Sequence, residues 1–371
     1  MDQDRNSAVL VKRGVCHALF AYDVGLSINL EEADRRITAN KARGSFQHKL
    51  RAPQYLEYRP APLRVIQDAA AFPLGPYSSS PTVEVVLYDF GAVSVTYRIS
   101  FDGPLAGLLL LSEALYENQG LLADSRRRIE ALLTALVPAI ERPNISTKGE
   151  DYLIFEVEEW VSQSGSTVWM SQDDTIARIL RCEPAPLSEQ EVKDATSYRI
   201  SYGHDDAAII DWNAALLFGH QMEDVRAVLE FANVELLEMR LLDHQLDHAL
   251  DQAYAALSLS PKKPWARLRL PGSFEADSRR IAQLQVDGAI LFARVTNTLK
   301  LVGDQYLARV YRLVSQRFHL EVWDGSITRK LHTLDSIYGK MTDRAAVRRM
   351  ELLEWIIIVL IAVSIAVSFH S

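Results

Sequence analysis

The chain has 371 residues, of which 48% are hydrophobic and 24% are charged, and its formal net charge is −8. The length suffices for about two folded domains of ordinary globular composition. The acidic balance disfavours nucleic acid as a partner, since nucleic-acid-binding surfaces are basic. The two cysteines, Cys16 and Cys182, have no CxxC spacing. They give no sign of a disulfide framework or a zinc site, which is typical of a reducing compartment.

The first 205 residues contain patterns of both strands and helices, so we predict a mixed α/β domain. Residues 15–22 form a predicted strand, and residues 30–43 a predicted helix that begins with acidic residues and stops before a glycine. Two β-rich runs, 82–88 and 92–100, are separated by Asp89-Phe90-Gly91 and predict a hairpin. Further helices are predicted at 104–118 and 121–140, and further strands at 151–160, 196–202 and 207–211.

After about residue 212 the apolar residues recur every three or four positions, which is helical spacing. The pattern predicts a helix over 220–257, about 57 Å long at 1.5 Å per residue, and a second helix over 275–318. A proline-containing connection at 258–273 joins them, which favours an antiparallel hairpin with a coiled-coil-like seam. A shorter accessory helix is predicted over 326–341, before a last helix that leads into the C-terminal tail.

The tail is free of formal charge from residue 355 to residue 369 and extends back to Leu352 if Glu354 lies at an interface. A helix of about 18 residues is about 27 Å long, close to the hydrocarbon thickness of a bilayer. The pattern therefore predicts a C-terminal membrane anchor. Its predicted residues are Leu352, Leu353, Glu354, Trp355, Ile356, Ile357, Ile358, Val359, Leu360, Ile361, Ala362, Val363, Ser364, Ile365, Ala366, Val367, Ser368 and Phe369.

Flanking charge predicts the orientation of this anchor. Lys340, Arg344, Arg348 and Arg349 precede the apolar run, and no Lys or Arg follows it. The positive-inside rule predicts a single-pass protein of the cell (inner) membrane with its body in the cytoplasm. The same four side chains are predicted to contact anionic lipid headgroups.

The N-terminal sequence has neither the apolar core of a secretory signal nor the character of a transit peptide. The alternative for the tail is a buried C-terminal core helix. The apolar character around every face of the tail argues against it, because a surface or bundle helix shows a polar stripe.

The region around the tail resembles a known family. Leu-Glu-Trp at residues 353–355 stands directly before the aliphatic run, and the segments 228–232, 236–243 and 320–324 precede it. In this arrangement the chain resembles the "required for meiotic nuclear division" family, also called domain of unknown function 155, as a bacterial-type member. The resemblance covers roughly residues 205–369. It implies helices before a membrane segment. Eukaryotic members are mostly mitochondrial, and one is linked to support of mitochondrial translation, but the family supplies no catalytic residues.

The strongest candidate ligands for a metal are His244 and His248, with Asp247 and Asp251. The two histidines are four residues apart and share one helix face, so they could bind a divalent cation. On a helical wheel with Leu242 at zero, these four residues fall at about 140–240°, opposite the apolar positions. An exposed polar face accounts for them without a metal, and we predict no cofactor.

No other motif predicts catalysis. Asp89-Phe90-Gly91 matches a kinase tripeptide, but the remaining kinase motifs are missing from the sequence, so we predict a turn. Cys16 and His17 would point to opposite faces of a strand, which is wrong for a catalytic dyad. Residues 126–128, Arg-Arg-Arg, predict a solvated helix face, the alternative being contact with RNA or an acidic partner.

The predicted fold class is α+β. It combines a mixed α/β domain over 1–205, a helical hairpin domain with an accessory helix over 206–345, and a C-terminal transmembrane anchor over 346–371. The predicted function is a membrane-tethered cytoplasmic scaffold that contacts membrane lipid, self-associates as a homo-oligomer and concentrates an unidentified protein partner. Two alternatives stay open. One is an enzyme, a hydrolase or nucleotide-binding protein, with a pocket in the α/β domain. The other, implied by the resemblance, is a ribosome- or RNA-associated factor that supports translation.

Overall fold

The computed structural model describes residues 9–37, 40–43, 60–161, 168–258 and 305–370, with residues 279, 283, 284, 286–290 and 293. The chain divides into two compact units. Unit 1 consists of Met1–Met239 and Ile290–Glu321, and unit 2 of Arg240–Ala289 and Val322–Ser371. The predicted domain boundaries near residues 205 and 345 stay predictions.

The described residues form strands and helices in a mixed order along the chain. The strands are β1 (Leu10–Asp23), β2 (Ser27–Ile28), β3 (Asn40–Arg43), β4 (Leu63–Asp68), β5 (Pro73–Leu74), β6 (Tyr77–Leu87), β7 (Ala92–Pro104), β8 (Ile140–Glu141), β9 (Glu150–Val161), β10 (Arg199–Ile200), β11 (Ala207–Ile210) and β12 (Ala214–Phe218). The helices are α1 (Leu30–Arg36), α2 (Leu108–Leu115), α3 (Gln119–Leu136), α4 (Asp173–Arg181), α5 (Glu189–Thr196), α6 (Glu223–Ser258), α7 (Gln305–Arg317) and α8 (Leu320–His370).

Several predicted elements in unit 1 are confirmed, and two are wrong in their bounds. The predicted strands at 15–22, 82–88, 92–100 and 151–160 correspond to β1, β6, β7 and β9. The helix predicted over 30–43 ends at Arg36, because the next residue, Ile37, is buried and extended, with φ −78° and ψ 121°. The strand predicted over 196–202 is reduced to the two residues of β10, since α5 continues to Thr196.

Unit 1 is built on one large sheet. In the described residues its strand order is β10-β11-β12-β9-β1-β7-β6-β4-β3, with β5 paired to β6. β12 and β9 are parallel, and the other pairings are antiparallel. β1 lies at the centre, where Ala18 faces Tyr97 on one neighbour and Leu153 on the other. A strand covered on both faces needs a continuous apolar run, and this run is what made β1 predictable.

Alternation along the strands separates two layers. Cys16, Ala18, Phe20 and Tyr22 of β1 join a hydrophobic core that includes buried residues of α1 to α4. His17, between them in sequence, points to the opposite face, where α6 packs. Fully burying one large apolar side chain stabilises the fold by roughly 1.5–3 kcal/mol, so the first layer holds the sheet together. The second layer is more polar.

The helical part differs from the predicted hairpin. α6 runs unbroken for 36 residues, which confirms the helix predicted over 220–257. The predicted connection at 258–273 lies outside the described residues, apart from residue 258. The helix predicted over 275–318 is described only in part, and α7 ends it at Arg317, where His319 adopts a left-handed φ of 55°. The predicted accessory helix, 326–341, is an internal part of α8, which extends for 51 residues.

The predicted membrane anchor is wrong. Within the part of the chain that the structure describes, no helix combines the length and the apolar character that a bilayer crossing requires. A crossing takes about 20 consecutive apolar residues, and the predicted segment had the minimum length and included Glu354. The same finding contradicts the predicted inner-membrane location and the membrane-tethered layout. The fold class is corrected to a mixed α/β protein with a large sheet and several helices.

Candidate functional site

α6 covers the sheet of unit 1 with charged side chains as well as apolar ones. Arg226 Nη1 donates to His17 Nε2 at 3.0 Å and to Glu156 Oε2 at 3.3 Å. One turn later, Glu230 lies 3.9 Å from Arg64 Nη2, and Arg64 also pairs with Glu84. We call these six side chains the polar layer. Glu156 and Glu230 are each only 4% exposed, so their charges or hydrogen bonds must be satisfied inside the protein.

The electrostatics of the polar layer fix the protonation of His17. Burial, assisted by the Arg226 charge, lowers the pKa of His17 to about 4, although Glu156 acts in the opposite direction. The ring is therefore neutral near pH 7. An arginine can only donate, so the shorter contact, from Arg226 at 3.0 Å, makes Nε2 an acceptor and places the ring proton on Nδ1, although Glu156 Oε2 lies 3.3 Å from the same Nε2. His17 Nδ1 and Glu230 Oε1 have no hydrogen-bond partner among the described residues, and burial raises the pKa of Glu230.

The polar layer holds α6 in register on the sheet and contains no nucleophile. Cys16 lies on the other face of β1, and burial raises the pKa of its thiol. The separation of Cys16 from His17 on opposite faces agrees with the prediction that they form no catalytic dyad. Sequence reasoning missed the layer because His17 and Arg226 are 209 residues apart. A histidine within the apolar run of β1 was its only signal.

A second buried charge, Asp211, fastens α7 to the sheet. Asp211 is fully buried, and its carboxylate accepts from Arg317 Nε at 2.7 Å and from Arg181 Nε at 3.0 Å. Arg317, the last residue of α7, also pairs with Asp194 at 2.8 Å. The Tyr152 hydroxyl donates to the Asp211 carbonyl oxygen at 2.9 Å. We call this set the Asp211 cluster, and its geometry is that of a structural clamp.

Two carboxyl groups, Asp23 and Glu238, form a third buried feature of unit 1. Burial raises the pKa of Asp23 to about 7, and a backbone hydrogen bond from Gly25 opposes the shift. Burial first, and then the charge of Asp23, raise the pKa of Glu238 well above its usual range. Neighbouring carboxyl groups in this situation hold protons at pH values where exposed ones are ionised. The pair makes the stability of the fold depend on pH. It shows no arrangement for catalysis.

The candidate metal ligands lie on the exposed face of α6 in unit 2. His244, His248, Asp247 and Asp251 are all solvent-exposed. Lys330 of α8 reaches 2.6 Å from Asp247 Oδ1 and 2.7 Å from Asp243 Oδ1, so one candidate carboxylate is engaged in an ion pair. Among the described residues no group of three or more His, Cys, Asp or Glu side chains is placed to hold a metal ion.

The arginine run and the kinase-like tripeptide have structural roles. Arg126 pairs with Glu130 at 3.0 Å, and Arg127 and Arg128 both pair with Asp124. Gly91 has φ 97°, and a Cβ there would lie 1.8 Å from a backbone oxygen of Gly25. Asp89-Phe90-Gly91 is therefore the turn of the β6–β7 hairpin, where only glycine fits the close approach.

The predicted headgroup contacts have no support in the described side chains. The side chains of Arg344, Arg348 and Arg349 lie outside the described residues, and Lys340 is exposed on α8.

In unit 1 a cleft of about 440 Å³ opens between α4 and α5. Two of its lining residues, Arg199 and Asp173, already pair with each other at 2.9 Å. The cleft offers no group of convergent catalytic side chains.

The last part of α8 exposes large apolar side chains. Six of them, which we call the apolar tail surface, are 54–67% exposed: Met350, Trp355, Ile357, Ile358, Leu360 and Ile361. At 100° per residue they span about 220° of the helix circumference. A helix that packs against one neighbour shows an apolar stripe of about 100°. Exposed patches of this kind mark interaction sites, and the tail surface is the best candidate in the described chain.

Comparison with known proteins identifies a family without a known function. A family profile described as "Uncharacterized protein MJ0711, N-terminal domain" matches residues 13–224, more than half of the chain. The "Uncharacterized protein MJ0711" of Methanocaldococcus jannaschii is 22% identical over 215 residues, which is 56% of this chain and 62% of that protein. No solved structure matches. Nothing links the chain to the meiotic nuclear division family, so that resemblance was wrong. It rested on a three-residue motif beside a common type of apolar run and on three short segments of apolar helical pattern before it.

Proposed function

The chain belongs to the family of the N-terminal domain of uncharacterized protein MJ0711, and we propose that it is an interaction protein that self-associates through its last helix. The observation that carries this proposal is the apolar tail surface. Its six side chains lie within twelve residues of one helix and are all more than half exposed. Covering them removes apolar area from water at roughly 25 cal/mol per Å², a driving force for association.

A second copy of the chain is the partner that we propose. Because the tail surface spans about 220° of the helix, one partner helix covers only about half of it. Three or more copies around a closed symmetry axis cover it fully, since each tail then contacts two others. The expected assembly is a bundle of at least three α8 helices packed side by side.

The rest of the molecule supports an interaction role over catalysis. The buried charges of unit 1 pair with one another in the polar layer and in the Asp211 cluster. In unit 2, Arg240 lies 5.9 Å over the Trp323 ring, and Ser326 bonds Asp243 at 3.1 Å. These contacts attach α8 to α6, so the exposed tail surface is carried on a supported helix.

The test is light scattering of the full chain after size exclusion, in wild type and in an Ile358→Glu, Ile361→Glu variant. The matched control is Thr328→Glu with Ser336→Glu, which adds the same two charges at exposed positions of the same helix. We expect a defined oligomer for wild type and control, and a smaller species for the tail variant, with unchanged circular dichroism. A wild-type monomer would contradict the proposal. So would a chain that is monodisperse only in detergent.

A further inference from the structure

The exposed face of α7 in unit 1 carries only hydrogen-bond donors and neutral amides. Gln305, Arg309, Arg312 and Gln316 are all exposed, and at 100° per residue they fall within about 60° of one another. α7 contains no Asp or Glu along its thirteen residues. The four side chains form a straight stripe about 16 Å long at 1.5 Å per residue, which we call the donor stripe.

The two arginines of the donor stripe keep their charge available. In the described part of the chain, no carboxylate pairs with Arg309 or Arg312, and the one contact of Arg309 is with an aromatic ring. Some other exposed arginines are neutralised within their own helix. Arg127 pairs with Asp124 three residues away, and Arg36 pairs with Glu32. The stripe is therefore a local positive surface on a chain whose net charge is −8.

Aromatic rings border this positive surface. Arg309 Cζ lies 5.7 Å from the ring centre of Tyr306. Tyr202 packs edge-on against the same ring, with centroids 5.2 Å apart, and stays 52% exposed. At the other end of α7, Trp212 is 54% exposed, directly after the Asp211 that binds Arg317. Proteins that bind single-stranded nucleic acid combine these two features: bases stack on exposed aromatic rings, and unpaired arginines contact the phosphates.

We propose that the donor stripe and Tyr202 bind single-stranded nucleic acid. Arg309 and Arg312 contact phosphates, the two glutamines donate to phosphate or sugar oxygens, and a base stacks on the exposed ring of Tyr202. An acidic protein surface would use the arginines but would gain nothing from the ring. With two phosphate contacts, the logarithm of the affinity falls with the logarithm of salt concentration at a slope of about −1.4. The overall acidic charge weakens the approach, so the dissociation constant is on the order of micromolar or weaker.

The test is fluorescence anisotropy of a labelled 20-nucleotide oligouridine titrated with the full chain at 25–150 mM salt. Arg309→Gln with Arg312→Gln is expected to weaken binding at least tenfold at 25 mM salt and to flatten the salt slope. Tyr202→Ala is expected to weaken binding by about tenfold with the slope unchanged. Arg127→Gln, which removes an exposed but paired arginine, is the matched control and leaves binding as in wild type.

Three results would overturn this inference. One is the absence of saturable binding by wild type at 25 mM salt. Another is an equal loss in the Arg127→Gln control, which would mean that binding follows total charge. The last is full binding by Tyr202→Ala together with displacement by polyglutamate, which would assign the stripe to acidic polypeptides. Thermal unfolding of each variant establishes that the fold is retained.

Discussion

Replacing Asp211 by asparagine tests whether a buried carboxylate clamps α7 to the sheet. Asp211 is fully buried, and the side chains of its partners Arg181 and Arg317 are only 13% and 9% exposed. Asparagine keeps the size but removes the charge and turns an NH₂ group toward one of two guanidinium donors. Breaking a buried ion pair by removing one partner costs about 3–5 kcal/mol. We expect a loss within this range, because both arginines lose their buried counter-charge and keep only half-exposed partners, Asp194 for both and Glu191 for Arg181.

The assay is urea unfolding followed by the intrinsic fluorescence of the six tryptophans, with circular dichroism as a second probe of the same transition. The matched control is Asp102→Asn, an exposed aspartate on β7, for which we expect a change below about 0.5 kcal/mol. Arg317→Met should destabilise the protein as strongly as Asp211→Asn, and the double variant should cost less than the sum of the two. If the free energy of unfolding of the Asp211→Asn protein lay within about 1 kcal/mol of the wild-type value, the clamp would be refuted.

Three further predictions concern the carboxyl pair, the polar layer and the hairpin turn. The pKa of Asp23 is raised from an ordinary value near 4 to about 7, so its contribution to the free energy of unfolding is fully present below pH 4 and is lost as pH rises through 7, at up to about 1.4 kcal/mol per pH unit. Asp23→Asn should remove this fall in stability between pH 5 and pH 8, measured by urea unfolding. An unchanged difference between the two pH values would argue against the role of Asp23. Arg226→Met should cost about 3–5 kcal/mol by removing the positive charge beside the buried Glu156, which keeps only the neutral His17 within 4 Å among the described residues, and a neutral effect in urea unfolding would exclude that role. Gly91→Ala should lower the melting temperature far more than Gly75→Ala, because both have positive φ but only Gly91 has backbone within 2 Å of the added Cβ; equal losses would contradict the close approach.

Local patterns predicted the parts of the fold in which one face or both faces are apolar. β1, the β6–β7 hairpin and α6 were predictable because their apolar residues follow a strand or helix period. The end of α1 was not, since it depends on burying Ile37. The merging of the accessory helix into α8 was also missed. Nothing in the periodicity marks a stop or a continuation between residues 318 and 326.

The polar contacts were beyond prediction because they join distant segments. Arg317 and Asp211 are 106 residues apart, and Tyr202 and Tyr306 come from a loop and a helix with no shared motif. The basic run that the sequence displays at residues 126–128 is neutralised by its own helix. The apolar tail was recognised as unusual, but hydropathy alone cannot name the surface that covers it, and the expected bilayer crossing was wrong.

The central claim, self-association through α8, is tested most directly by sedimentation equilibrium of the full wild-type chain without detergent. One chain has a mass of 41.8 kDa. The account predicts a single species of at least three times that mass at micromolar concentration, dissociating on dilution. A mass of one chain at every concentration would contradict it, and so would a distribution of aggregates without a defined stoichiometry.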